Sequence, residues 1–245
     1  MEHIDYPITE YLVPFELKQV DSSGNPELQE VLLAFQKGAA DHVELYGFGQ
    51  KYRERTNKVF VICREKIVFL RDFEKNKKYN LYTYPLSPGR IDMYREAYIL
   101  DENGNRMAEI LSLWVFIDFT TRRICKTDEV KAVQDEYMKS FDKPVIFSDK
   151  LQRMDCPENE GQFLFEYTVQ ESDLDSNNHM NNTVYFRILQ NHGIGKKVSS
   201  SEVNFEKECF LGEKIRIFRN CFDSFDVYQG IKEDGDLSFI IKFVF

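Results

Sequence analysis

The sequence predicts an α+β protein made of two copies of one unit, a long helix wrapped by a curved antiparallel sheet. Three observations lead there. Phe (21) and Tyr (13) are abundant while Gly (12) and Pro (7) are sparse, a composition that favours strands and argues against disorder. One long helical pattern is apolar over most of its surface, as a helix enclosed by a sheet would be. The order strand, helix, four strands occurs twice, with first strands starting about 154 residues apart, at 8 and 162. That period is far too long for a solenoid.

The elements follow in order. Residues 8–18 (ITEYLVPFELK) read as a first strand, with Pro14 marking an edge or a bulge. VDSSGNPE (20–27) breaks the chain and opens a helix. In that helix Leu28, Val31, Leu32, Phe35, Ala39, Val43 and Tyr46 keep helical spacing, while Leu33, Ala34 and Ala40 lie off the stripe. Four strand-like runs come next, at 58–71, 78–86, 90–100 and 105–119, the last two joined by the hairpin signal DENG. A short charged helix is expected at 127–137. Residues 139–161 lose periodicity and read as a linker between an N-terminal unit, 1–138, and a C-terminal unit, 162–245.

The second unit opens with the clean alternation of residues 162–169. A polar loop and a helix over 182–192 follow. Four strands close the chain, at 200–210, 214–222, 225–232 and 237–245, separated by GEK, DSFD and EDGD.

Composition excludes several functions. The net charge of −9 speaks against nonspecific nucleic-acid binding. No apolar run approaches the roughly 20 residues a membrane-spanning helix needs, and MEHIDYPITEYLV lacks a signal-peptide pattern. The 5 cysteines include no C-x-x-C pair, and no His lies near a cysteine pair. Free thiols in a reducing cytoplasm are expected, with no metal and no cofactor.

The chemistry concentrates at 171–189 (ESDLDSNNHMNNTVYFRIL). Asp173, Asp175, Asn177, Asn178, His179, Asn181 and Asn182 crowd ahead of a helical stripe that starts at Tyr185. Asn181 or Asn182 stands where an N-cap belongs, so free N–H groups and the positive helix end would face this cluster. Such a place can stabilise a developing oxyanion. The plain alternative is an Asn-rich loop that only caps a helix.

The spacing of Asp173, Asp175, Asn177, His179, Asn181, Asn182 and Tyr185 resembles the D-L-D-x-N-x-H-x-N-N-x-x-Y loop of the plant and bacterial acyl-acyl-carrier-protein (acyl-ACP) thioesterases. The stretch ILSLWVFIDFTTRRICKTDEV (110–130) is similar to another segment of that family. VNFEKECF (203–210) is similar to its E-Y-R-R-E-C segment, with Phe205 and Glu206 replacing Tyr and Arg, and Asn204 where Glu is frequent. The resemblance implies a tandem hotdog fold, with the site kept only in the second unit. It implies a cytoplasmic enzyme that hydrolyses fatty acyl-ACP to free fatty acid and carrier protein, ending chain elongation. An acyl-CoA thioesterase, a dehydratase and a non-catalytic acyl-binding hotdog protein are the alternatives.

The same resemblance assigns the roles. Asn177 and the helix N-terminus face the thioester oxygen, Glu208 is base for the attacking water, His179 shuttles the proton, and Asp175 orients His179 or shares the water. A second mechanism stays open, in which Cys209 is the nucleophile, activated by His179. Side chains on a strand alternate, so Glu208 and Cys209 cannot both face a pocket unless the strand bulges; alternation with the apolar Val203 and Phe205 favours Cys209. Asn182 and Tyr185 are expected at the substrate, and Phe35 and Ala39 along an acyl tunnel, for which Gly38, Ala39 and Ala40 leave depth. Trp114 reads as core. An acidic carrier protein needs a local basic patch on an acidic chain. Arg122, Arg123 and Lys126 are the leading candidates, and Lys51, Arg53, Arg55, Lys196 and Lys197 are others. A homodimer is compatible with this reading.

Overall fold

The computed structural model describes residues 9–138, 145–157 and 161–245. Among them the N-terminal unit holds β1 (Tyr11–Leu17), α1 (Leu28–Leu45), α2 (Gln50–Thr56), β2 (Lys58–Phe69), β3 (Lys77–Pro85), β4 (Asp92–Leu100), β5 (Arg106–Asp118) and α3 (Asp128–Met138). The C-terminal unit holds β6 (Gln162–Thr168), a 3-10 turn at Glu171–Asp173, α4 (Val184–His192), β7 (Ser200–Phe205), β8 (Lys214–Cys221), β9 (Phe225–Lys232) and β10 (Leu237–Val244).

All the strands join one antiparallel sheet in the order β1-β3-β4-β5-β2-β7-β10-β9-β8-β6. The order within the second unit mirrors that within the first, so the sheet has a pseudo-two-fold axis between β2 and β7. The two expected sheets therefore meet edge to edge, through pairs running from Arg64↔Asn204 to Val68↔Ser200. Pairing the two inner edges leaves only β1 and β6 at the rims and removes two unpaired edges.

Helices α1 and α4 lie together on the inner face. Gln190 ties them, its Oε1 accepting from Leu28 N at 2.7 Å and its Nε2 donating to Pro26 O at 2.9 Å. The apolar stripe of α1 is buried as expected, with Leu28, Val31 and Phe35 each 0% exposed. One core runs through both units, from Leu17 and Leu81 to Ile217 and Phe239. Gly38 has a use other than tunnel depth. A Cβ there would meet Val13 Cγ2 at 2.9 Å and Thr83 Cγ2 at 3.0 Å, so glycine lets α1 sit close on β1 and β3.

The loop at 20–27, which occupies the place of the polar loop in the first unit, serves as a staple. Asp21 folds it by accepting from Ser23 N and Asn25 N, and Asn25 bonds Lys196 O and Val198 N of the second unit. Of the linker expected at 139–161, residues 139–144 and 158–160 lie outside the described residues. Residues 145–157 cross the outer face of the sheet. There Leu151 packs on Leu111 and Leu113, and Ile146 N and Phe147 N donate to the buried carboxylate of Glu96.

Three expectations need correction. Helix α2 was not anticipated. Helix α4 begins at Val184 rather than 182, and its N-cap position is Thr183, which makes no side-chain cap. Asn181 shapes the preceding turn instead, its Oδ1 accepting from Thr183 N at 2.9 Å. Strand β7 stops at Phe205 rather than 210. At that point Glu206 N and Lys207 N both donate to Ser238 O, at 2.8 and 3.1 Å. Two residues thus oppose one, which is a bulge, and strand alternation ends there.

Candidate active site

The polar loop is held together by one carboxylate. Asp175 Oδ1 accepts from Asn177 N (2.7 Å) and His179 N (3.1 Å), and Oδ2 accepts from Asn177 Nδ2 (3.3 Å). Asp175 N donates back to His179 O at 2.7 Å. Asp175 therefore builds the loop with its oxygens; of the two roles expected of it, orienting His179 or sharing the water, the first is met at the His179 backbone N–H, while Glu208 stands at the imidazole ring. Asn178 takes the left-handed conformation this tight turn needs (φ 61°). Behind the loop, the buried Asp173 accepts from Tyr167 Oη (2.6 Å) and Gln170 N (2.8 Å) and pairs with Arg187.

The bulge after β7 brings the remaining groups in. Met180 N donates to Cys209 O at 2.8 Å, so the loop runs beside 208–210. Glu208 turns toward the loop, with its Oε1 3.1 Å from His179 Nδ1. The imidazole also meets the edge of Phe210, with ring centroids 4.9 Å apart. The Glu208 carboxylate favours a proton on the nearby Nδ1, and a neutral ring protonated there keeps its lone pair on Nε2.

Cys209 faces the other way. It is 0% exposed, its Sγ lies 3.1 Å from Ser238 Oγ, and burial raises its thiol above the usual range. The expectation that alternation favours Cys209 over Glu208 is thus reversed by the bulge. Tyr185 belongs to the same buried knot. Its Oη accepts from Ser238 Oγ at 3.1 Å, its ring packs on Phe239, and burial raises its hydroxyl well above the usual range.

A cavity of about 730 Å³ lies within the N-terminal unit, a size typical of small-molecule pockets. It is lined by Ala39, Ala40 and Val43 of α1, Gln50 and Arg53 of α2, Phe60 of β2, Met93 of β4, Trp114 of β5 and Val130 of α3, and it reaches Ser176 of the polar loop. Ala39 lines it as expected. Phe35 does not; it is core. Trp114, read as core, lines the cavity and donates from Nε1 to Ser112 Oγ at 2.8 Å. Arg95 supplies a buried cation on the lining. It donates from Nη1 to Thr83 Oγ1 at 3.2 Å, and burial lowers its pKa to about 10.

The greasy cavity and the polar loop meet at one corner, where Arg53 both lines the cavity and donates to Asn177 Oδ1 at 2.6 Å. Two models describe the whole of this arrangement: the acyl-ACP thioesterase N-terminal domain matches residues 8–141, and the acyl-ACP thioesterase C-terminal domain matches residues 157–239. The chain belongs to the acyl-ACP thioesterase family.

The chain is 24% identical over 205 residues to a chloroplastic palmitoyl-acyl carrier protein thioesterase of Arabidopsis thaliana, covering 78% of this chain and 50% of that protein. A chloroplastic palmitoyl-acyl carrier protein thioesterase of Gossypium hirsutum is 24% identical over 182 residues, covering 69% and 43%. The chain thus spans about half the length of the curated relatives it matches. Its fold is that of an acyl-ACP thioesterase from Bacteroides thetaiotaomicron (TM-score 0.84, 19% identity, 96% and 97% of the two chains) and of a 12:0-ACP thioesterase from Umbellularia californica (TM-score 0.80, 18% identity, 98% of each). The fold is therefore the tandem hotdog.

Within this chain, Asp175, Asn177, His179 and Glu208 come together, while Cys209 and Tyr185 stay beneath them. Asn182 is half-buried beside the loop. Arg123 and Lys126 are exposed, as a docking face requires. Arg122 is exposed as well, and its guanidinium is turned onto Glu208. Sequence reasoning missed two contacts, Arg122 with Glu208 and Arg53 with Asn177. The only signal available was the pair of basic runs at 51–55 and 122–126, which the sequence offers as candidate docking patches for a carrier protein. Among the described residues no cluster of His, Cys, Asp and Glu could hold a metal, and no helix is long and apolar enough to cross a membrane.

Proposed function

We propose that this chain hydrolyses the thioester of a fatty acyl group carried by acyl carrier protein, releasing free fatty acid and carrier thiol. The observation that carries the reading is the His179–Glu208 contact at 3.1 Å, on a polar loop that a cavity of about 730 Å³ reaches through Ser176 and the Arg53–Asn177 contact, in a chain of this family.

The acyl chain lies in the cavity, and the thioester carbonyl sits at the corner by Ser176 and Arg53. Asn177 is polarised toward it. Arg53 occupies Oδ1, so the Nδ2–H₂ group is left for Asp175 and for the thioester oxygen, where negative charge develops. A water attacks the carbonyl carbon and gives its proton to the His179–Glu208 pair, with Glu208 holding the ring so that Nε2 faces the water. The tetrahedral intermediate then expels the thiolate. A thiol of pKa about 8.5 leaves readily, and the imidazolium returns the proton to it. Water and thioester become acid and thiol with no cofactor. Cys209 is not needed, because a buried thiol of raised pKa is a poor nucleophile.

The carrier protein is acidic and this chain carries −9, so docking falls to the local basic face at Arg123 and Lys126. The five cysteines are free thiols, which fits a reducing compartment such as the cytoplasm.

The test is a panel of acyl-ACP and acyl-CoA esters of increasing chain length, with the released acids identified. Free acid is expected from acyl-ACP, and loss of release in His179→Ala. Release from acyl-CoA alone would move the assignment to the CoA ester, and no release from any ester would remove it. Reversing Arg123 and Lys126 to Glu should raise KM for the carrier-linked ester and leave a small-thiol ester unchanged. Equal effects on both esters would count against the docking face.

A further inference from the structure

We propose that Arg122 and Arg53 are positioning residues, guanidiniums from the N-terminal unit that hold Glu208 and Asn177 of the C-terminal unit in working geometry. The inference rests on the thioesterase reading and adds to it that the unit without a catalytic loop still builds the catalytic site.

Arg122 Nη2 meets Glu208 Oε1, the same oxygen that stands 3.1 Å from His179 Nδ1. A carboxylate oxygen gripped by two donors cannot rotate without losing both. Lys232 offers no substitute. Its ammonium reaches only the backbone oxygen of Glu208, at 3.2 Å, and is paired with Glu213 at 3.0 Å. Arg53 acts on the other wall of the site. By donating to Asn177 Oδ1 at 2.6 Å it fixes which end of that amide is free, so the N–H₂ end faces Asp175 and the substrate.

The two arginines share one framework. Arg122 has φ 58°, a left-handed backbone that a side-chain-bearing residue adopts only when its surroundings impose it. Asp118 imposes it here: Oδ1 accepts from Thr121 N (2.7 Å) and Thr121 Oγ1 (2.9 Å), while Arg122 N donates to Asp118 O (2.9 Å). Asn57, also left-handed at φ 57°, ends the helix that carries Arg53 and bonds this turn through Asp118 Oδ2 and Thr120 Oγ1. Phe119 stands between the two guanidiniums, 4.4 Å from that of Arg53 and 5.8 Å from that of Arg122. Ordinary surface ion pairs contribute little. Here two cations stack on one ring and each reaches a different site residue.

The test uses the full chain with Arg122→Gln, Arg122→Lys and Arg53→Gln, assayed on a carrier-linked and a small-thiol ester, together with a crystal structure of Arg122→Gln. Arg122→Gln is expected to lower kcat about 30-fold or more on both esters with KM changed less than about twofold, and Arg122→Lys to recover part of the loss. Arg53→Gln should show the same split. In the Arg122→Gln crystal the Glu208 carboxylate should leave His179 Nδ1. Wild-type kcat in the variants, a rise in KM confined to the carrier-linked ester, or Glu208 still against His179 in the crystal would each overturn the proposal. A wild-type chain that hydrolyses no thioester removes the thioesterase reading, and the crystal comparison alone then decides whether Arg122 holds Glu208.

Discussion

Changing Glu65 to Gln measures what a lone buried carboxyl does to this fold. Glu65 is 3% exposed on β2, paired across to Ser112 on one side and Val203 on the other, at the seam between the two units. Burial alone raises its pKa from 4.5 to about 8. In the unfolded chain the carboxyl ionises at its ordinary value, so above pH 4.5 the unfolded state sheds a proton that the folded state keeps. The contribution of Glu65 is therefore fully present below about pH 4.5 and is lost as pH rises, until the folded group also ionises near pH 8. At about 1.4 kcal/mol per pH unit the loss is on the order of 5 kcal/mol above pH 8 and roughly 3 at pH 7. Gln keeps the shape and cannot ionise. Urea unfolding of both chains from pH 5 to pH 9 should show the stability gap widening in favour of Gln by up to about 1.4 kcal/mol per unit to pH 8, then levelling. A gap that stays flat from pH 5 to pH 8 refutes the reasoning, since the ionised carboxylate would then be compensated in the folded chain.

Three further outcomes are expected. Glu208→Gln should lower kcat by about 10²- to 10⁴-fold, the range of a positioned acid–base group, whereas Cys209→Ala should stay within about threefold; steady-state kinetics on one acyl-ACP decide it, and the reverse order would revive the cysteine mechanism. Ala39→Phe puts a ring into the cavity, and excluding even two methylenes of the acyl chain, at about 0.8 kcal/mol each, should lower kcat/KM at least tenfold for the longest ester accepted while sparing short ones. Asp173→Ala removes the buried carboxylate that Arg187, Tyr167 Oη and Gln170 N share and should lower stability by about 1–3 kcal/mol, read from urea midpoints; an unchanged midpoint would show that this carboxylate contributes nothing.

What could be read from the chain depended on how local its cause was. The α1 stripe from Leu28 to Tyr46 and the paired order of elements repeat with a fixed period, so both were visible. The Asp175-to-His179 spacing is local too, because Asp175 closes its turn on residues two and four further on. The bulge after Phe205 was not visible. It depends on Ser238 O receiving two N–H groups from another strand, and nothing at 206–207 announces it. That single irregularity decided whether Glu208 or Cys209 met His179. Helix α2 escaped for a different reason: QKYRERT buries only Tyr52, so it has no apolar period to detect. Arg53 and Arg122 were legible as charge but not as contacts, since their partners lie 124 residues away for Arg53 and in another unit for Arg122.

The β2–β7 seam has an evolutionary consequence. A duplicated gene ordinarily leaves either copy free to be discarded. On the function proposed above, one unit is the vessel and the other the tool, and the vessel lends two arginines to the tool. Two copies of the tool alone would lack the container, and two copies of the vessel would lack the histidine. Once the labour was divided along that seam, neither descendant could be inherited without its sibling.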